Sequence, residues 1–176
     1  MQPTIHFDPV LLLKAQGIRV AFFDVDGVLT DGGLLFSESG ETLKRFNTLD
    51  GHGLKMIQKI GITPVVITGR DSKPLRARLA ALGITHAHFG TEDKLPAAEQ
   101  TLKALGMGWE VAAAMGDDWP DLPVMRRSAF ACAPVTCSNL SGVPVIMSNT
   151  DSSLATLPFR IGLKNALAPE VVAVTS

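Results

Sequence analysis

Short apolar runs, several of them β-branched, alternate along this chain with longer amphipathic segments, and that alternation admits few folds. Val20-Ala21-Phe22-Phe23, Pro64-Val65-Val66-Ile67, Ala87-His88-Phe89 and Val111-Ala112-Ala113-Ala114-Met115 are near-continuous apolar stretches, the pattern of strands covered on both faces. Ala129 to Ala133 extends the series. Between the runs, Leu54, Ile57 and Ile60 recur at helical spacing, as do Leu75, Leu79 and Leu82, while Leu102 and Leu105 continue a segment that opens after Asp93. Gly61, Gly83 and Gly106 stand where helices stop. Repeated strand and helix imply βαβ units, so the expected class is α/β with a mostly parallel sheet. Residues 32–47 break the rhythm. There Leu34-Leu35-Phe36 and Thr42-Leu43-Lys44-Arg45-Phe46 flank the polar Ser37-Glu38-Ser39-Gly40, which predicts a β-hairpin inserted after the first strand.

A length of 176 residues suits one domain, which typically takes roughly 100–200 residues. The expected organisation is a single domain over 1–176, with a core at about 18–135, the hairpin at 32–47 and an atypical tail at 137–176. From Cys137 onward only Asp151, Arg160, Lys164 and Glu170 are charged, and Pro144, Pro158 and Pro169 interrupt any long element. No element is assigned there. Sixteen Lys and Arg against 17 Asp and Glu leave a net charge of −1, which lacks the basic footprint of a nucleic-acid binder. Cys132 and Cys137 form neither a disulfide framework nor a metal quartet, and read as free thiols. No apolar stretch approaches the roughly 18 residues of a membrane span. Asp8 and Pro9 interrupt the region where a signal peptide would need an apolar run. The expectation is a soluble, cytoplasmic protein with neither nucleic acid nor membrane as partner.

Four charged or hydroxylic clusters follow the predicted strands. The first strand runs into Asp24-Val25-Asp26-Gly27-Val28-Leu29-Thr30-Asp31-Gly32, and ligand sites of open parallel sheets lie at the carboxyl ends of the strands. A carboxylate nucleophile can form an acyl-phosphate while a second carboxyl group protonates the leaving oxygen and then activates water. Alone, the motif is equally compatible with a capped turn. The second strand ends in Thr68-Gly69-Arg70, a hydroxyl able to hold a phosphoryl oxygen and a guanidinium able to bind an anion bidentately. Lys94 follows the third and could neutralise a transferring phosphoryl group together with Asp24. The fourth ends in Gly116-Asp117-Asp118-Trp119-Pro120-Asp121, a set of hard oxygen donors suited to Mg²⁺.

The order Asp-x-Asp-Gly, Thr-Gly-Arg, Lys, Gly-Asp-Asp-x-x-Asp resembles the haloacid dehalogenase superfamily of aspartyl phosphotransferases. From Ile18 to about Pro134 the chain resembles more closely the 3-deoxy-D-manno-octulosonate 8-phosphate (KDO 8-phosphate) phosphatase family. That likeness rests on Asp-Val-Asp-Gly-Val-Leu-Thr-Asp-Gly, Phe46-Asn47 with Asp50-Gly51, Ile67-Thr68-Gly69-Arg70 and Leu82-Gly83-Ile84. The resemblance implies a three-layer Rossmann-like fold without a cap domain, and a Mg²⁺-dependent phosphatase of an acidic sugar phosphate in lipopolysaccharide biosynthesis. It implies Asp24 as nucleophile and Mg²⁺ ligand, and Asp26 as general acid/base that ligates the metal through its backbone carbonyl. Thr68 and Lys94 would hold the phosphoryl group and Asp117 would be the third protein ligand, with Asp118 and Asp121 orienting waters and Lys94. Substrate contacts would come from Asn47, Thr48, Leu49, Asp50 and Gly51, and from Arg70 and Arg78. Lys55 stands where relatives often carry Arg, so its contact would be a point charge. The resemblance also implies a homotetramer built partly by the hairpin, in which a neighbouring subunit walls the site. Relatives continue into a tail with a Gly-Gly-x-Gly cluster that reaches a partner's site, and residues 137–176 contain no such cluster.

Two other functions fit the same motifs: a phosphatase of a nine-carbon sialic-type sugar phosphate, and a non-catalytic interaction subunit on the same fold. His52, His86 and His88 have no partners at ligand spacing and read as surface or turn residues. Met107, Trp109 and Trp119 read as packing groups near helix ends.

Overall fold

The computed structural model describes residues 13, 15–134 and 146–148, the last three as backbone alone. Strand β1 (Val20–Phe23) is followed by a hairpin of β2 (Leu35–Ser37) and β3 (Gly40–Leu43), then by helix α1 (Thr48–Lys59) and β4 (Thr63–Ile67). The chain continues through α2 (Lys73–Leu82), β5 (His86–His88), α3 (Lys94–Leu105), β6 (Ala112–Met115), α4 (Leu122–Arg127), β7 (Phe130–Pro134) and β8 (Ile146–Ser148). Six of the strands form one sheet in the order β5-β4-β1-β6-β7-β8, and every pairing in it is parallel.

Alternation of side chains across the strands makes two cores. Val20 and Phe22 of β1 point to the face where Ala97, Ala98 and Leu102 of α3 and Leu122, Val124 and Met125 of α4 pack. Ala21 and Phe23 point to the opposite face, against Leu54 and Ile57 of α1 and Leu75, Leu79 and Leu82 of α2. The result is three layers, and the strands read as unbroken apolar runs because both of their faces are covered. Asn47 caps α1 by accepting the Leu49 N–H at 2.8 Å, while α2 and α3 stop at Gly83 and Gly106.

The expected hairpin is present as an antiparallel pair. Its strands stand largely in solvent, with Leu34, Leu35, Phe36 and Leu43 all exposed. Several sequence expectations change. Strand boundaries shift by a residue, and β8 falls within the tail where none was assigned; Cys137 and the remainder of 135–176 lie outside the described residues. His86 and His88 belong to strand β5 rather than to a surface or turn, and the His88 ring lies 2.7 Å from Thr101 Oγ1 on α3. His52 is exposed. Trp109 packs on Phe22 with ring centroids 6.0 Å apart, whereas Trp119 is 65% exposed. The single helical turn that carries Trp119 directs it away from both cores.

Candidate active site

The sheet brings the motifs to one edge. Phe23 is in register with Val66 of β4 and Met115 of β6, so Asp24, Thr68 and Asp117 emerge within one residue of each other. Chain direction across the sheet reverses at β1, since β4 and β5 lie to one side and β6 to β8 to the other. Such a switch point opens a crevice at the carboxyl ends of the strands. Here it is an open cleft of about 450 Å³ lined by Asp24, Asp26, Thr68, Gly69, Arg70, Glu92, Lys94, Asp117, Asp118, Pro120 and Asp121.

Local backbone chemistry fixes the acids. After β1 the carbonyl of Val25 accepts the N–H groups of Val28, Leu29 and Thr30, and Thr30 Oγ1 accepts those of Gly27 and Gly32 at 3.3 and 3.2 Å. The loop is thereby wound tightly enough to bring Gly27 against Asp117. A Cβ on Gly27, whose φ is +92°, would lie 1.9 Å from Asp117 Oδ2. After β6, Asp121 Oδ2 accepts the N–H groups of Asp117 and Asp118 at 3.1 and 3.2 Å. The Asp118 carboxylate accepts the N–H of Trp119 at 2.7 Å, so it caps the turn and does not reach Lys94.

Lys94, at the start of α3, is buried between two carboxylates. Its Nζ donates to Asp24 Oδ1 at 2.6 Å and to Asp121 Oδ1 at 2.7 Å. Burial alone would lower the ammonium, but Asp24 and Asp121 outweigh it and hold it above its ordinary value. Asp24 is pushed up to about 6 by burial, reinforced by Asp121 and offset by Lys94. Asp117 is pushed up to about 7 by burial and then by Asp24, Asp121 and Asp118. Carboxylate oxygens of Asp24, Asp117 and Asp121 lie within 4.8 Å of one another, and Asp117 Oδ1 is buried without a hydrogen-bond partner. One lysine does not balance two buried acids and a half-buried third, so the cluster lacks positive charge.

The Asp26 carboxylate lines the same cleft but pairs outside this cluster. Oδ1 lies 2.5 Å from Lys44 Nζ and Oδ2 lies 3.7 Å from Arg70 Nε. Thr68 is buried, and its Oγ1 accepts the Arg70 N–H at 3.2 Å. The other expected substrate residues are not gathered into the same cleft. Asn47, Thr48 and Asp50 line a second one of about 440 Å³ with Leu29, Thr30, Asp31, Arg45 and Phe46. Arg78 donates to the Asn47 carbonyl at 3.3 Å and lies 5.9 Å from the Phe46 ring centre. Gly51 is buried, whereas Leu49 and Lys55 are exposed on α1. Sequence reasoning gave no part to Lys44, Glu41 or Glu92. Two charges three residues apart in an exposed hairpin carry no periodic signal, and only the folding of the hairpin brings Lys44 to Asp26.

No family model matches the chain. The KDO 8-phosphate phosphatase of Escherichia coli K12 is 41% identical over 123 residues, 70% of this chain and 65% of that protein. Among solved structures, the KDO 8-phosphate phosphatase of Yersinia pestis superimposes with a TM-score of 0.85 at 32% identity, covering 90% of this chain and 86% of that one. The Moraxella catarrhalis enzyme, in complex with magnesium ion, phosphate ion and KDO, gives 0.86 at 31% identity, covering 92% of this chain and 94% of that one. The chain belongs to the KDO 8-phosphate phosphatase family. It spans 65% of the length of the E. coli relative. For a member of this phosphatase family, the cleft pairs a buried carboxylate at the central strand with hard oxygen donors and a buried lysine. Asp26 approaches it from the loop beyond.

Proposed function

We propose that the chain is a Mg²⁺-dependent phosphomonoesterase that hydrolyses an acidic sugar phosphate, KDO 8-phosphate, to KDO and phosphate. The observation that carries this reading is Asp24, buried at the end of the central strand, bonded to Lys94 at 2.6 Å and clustered with Asp117 and Asp121. A non-catalytic subunit would have no physical need for converging carboxylates that burial, and then one another, raise at Asp24 and Asp117.

The acid cluster fits a divalent cation. Its donors are hard carboxylate oxygens, it lacks positive charge, and Asp117 Oδ1 is a buried acceptor without a partner. Asp24, the backbone carbonyl of Asp26 and Asp117 would hold Mg²⁺. The ion, when bound, supplies neutralisation of the charge that develops on the phosphoryl oxygens. In the chemistry proposed for the chain's own residues, Asp24 attacks phosphorus and the bond to the sugar oxygen breaks as Asp26 gives that oxygen a proton. An aspartyl-phosphate results. Asp26, now a base, takes a proton from water, whose attack frees phosphate and restores Asp24. Thr68 and Lys94 hold phosphoryl oxygens, and Asp121 keeps Lys94 aimed at Asp24. Arg70 at the cleft, with residues 47–51, Lys55 and Arg78, would bind the acidic sugar.

The exposed Leu34, Leu35, Phe36 and Leu43 of the hairpin support assembly into a homotetramer, since exposed apolar side chains gathered on one element suit a contact site. The setting proposed is lipopolysaccharide biosynthesis in the cytoplasm. No helix among the described residues is long and apolar enough to cross a membrane.

The test is phosphate release from KDO 8-phosphate, from a nine-carbon sialic-type sugar phosphate and from simple sugar phosphates, with and without Mg²⁺. KDO 8-phosphate is expected to be hydrolysed best and only with Mg²⁺, and Asp24→Asn is expected to abolish turnover while preserving the circular dichroism spectrum. Preference for the nine-carbon substrate would overturn the substrate assignment, and turnover by Asp24→Asn would overturn the aspartyl-phosphate route.

A further inference from the structure

Lys44 directly follows β3, in a hairpin whose strands stand in solvent, yet its side chain is only 1% exposed. An ammonium is costly to bury without paired acceptors. Two carboxylates face it: Nζ donates to Asp26 Oδ1 at 2.5 Å and forms an ion pair with Glu41 Oε1 at 3.3 Å. The far oxygen of Asp26, Oδ2, is 3.7 Å from Arg70 Nε, and Arg70 lines the acid cleft. The two Asp26 oxygens are thus unequal. One is pinned from the hairpin side and the other is turned to the cleft.

We infer that Lys44 is a positioning residue for Asp26, holding the carboxylate by Oδ1 so that Oδ2 is the oxygen presented to the substrate's leaving oxygen. The inference rests on the proposed role of Asp26 as acid/base. Its physical basis is torsional. The terminal torsion of an aspartate is broad and roughly two-fold, so an unpinned carboxylate can rotate, and a bidentate pairing with Arg70 would then take both oxygens. Glu41, on β3, adds an ion pair to Lys44 at 3.3 Å, which makes the hairpin part of the scaffold that aims the acid.

A change in leaving group distinguishes positioning of an acid from general structural support. An alkyl phosphate needs its leaving oxygen protonated, whereas p-nitrophenyl phosphate expels a stabilised phenolate, and kcat/KM reports the step in which that group departs. General acids contribute about 10²–10⁴-fold, and Lys44→Met is expected to lower kcat/KM for KDO 8-phosphate about tenfold more than for p-nitrophenyl phosphate. Lys44→Arg, which keeps the cation, is expected to preserve most of the parent's ratio. Asp26→Asn is the reference and is expected to show at least the same discrimination as Lys44→Met. Equal losses on both substrates in Lys44→Met, alongside discrimination in Asp26→Asn, overturn the positioning role while leaving the acid intact. Absence of discrimination in Asp26→Asn overturns the acid assignment, and this inference with it. If Lys44→Met fails to fold, Lys44→Gln decides by the same ratio.

Discussion

Replacing Lys94 with Met keeps most of the side chain's length and apolar stem while deleting the charge between Asp24 and Asp121. The side chains of Lys94, Asp24 and Asp121 are 6%, 9% and 6% exposed, and the two contacts are 2.6 and 2.7 Å, so solvent cannot replace the lost partner. Removing one member of a buried ion pair costs roughly 3–5 kcal/mol. At about 2–4 °C per kcal/mol for a chain of this size, the expected loss in Tm is roughly 6–20 °C near pH 8 without metal. The loss depends on pH. Asp24 is raised to about 6 even with Lys94 present, and without the lysine it rises further. The folded variant then binds more protons than its unfolded chain above the ordinary carboxylate range, so its stability falls as pH rises through the raised values. The gap between variant and parent is therefore widest near pH 8 and narrows toward pH 5. Thermal denaturation in EDTA across that range is the assay. A loss below about 3 °C near pH 8, or one that does not shrink toward pH 5, would refute the view that Lys94 is the principal counter-charge of the site.

Other consequences can be measured on the same protein. Because Asp24 and Asp117 are raised to about 6 and about 7, protons compete with Mg²⁺ for the cluster, and the Mg²⁺-induced rise in Tm is expected to be larger near pH 8 than near pH 5. A pH-independent rise would place the ion elsewhere. Gly27→Ala puts a methyl group 1.9 Å from Asp117 Oδ2 at a φ of +92°. It is expected to cost about 1–3 kcal/mol and to abolish the Mg²⁺-induced shift, whereas an unchanged shift in calorimetry would show that Asp117 does not hold the ion. Replacing Leu35 and Phe36, both exposed on β2, with Ser is expected to reduce the oligomeric mass in sedimentation while leaving the monomer folded.

Much of this fold was legible because its signals are local. Val20-Ala21-Phe22-Phe23 is apolar at every position since both faces of β1 are covered, and Leu75, Leu79 and Leu82 repeat at the helical period because one side of α2 meets the sheet. Side-chain alternation and helical pitch are properties of consecutive residues. The hairpin could be read for the same reason, from two apolar runs around a polar turn. β8 could not, because three residues in a Ser- and Thr-rich tail carry too short a pattern.

The sequence by itself determined which chemistry was on offer: carboxylates, a hydroxyl and a lysine, each placed just after a strand. Tertiary structure alone decided how those groups divide. The order of the strands set Lys94 between Asp24 and Asp121 and drew Asp117 against Gly27. The fold of the hairpin paired one oxygen of the Asp26 carboxylate with Lys44, and left Asn47, Thr48 and Asp50 in a neighbouring cleft. Spacing along a chain specifies local conformation, but burial and charge pairing depend on which distant segments the sheet places side by side. In this protein those long-range contacts set the balance of charge at the site.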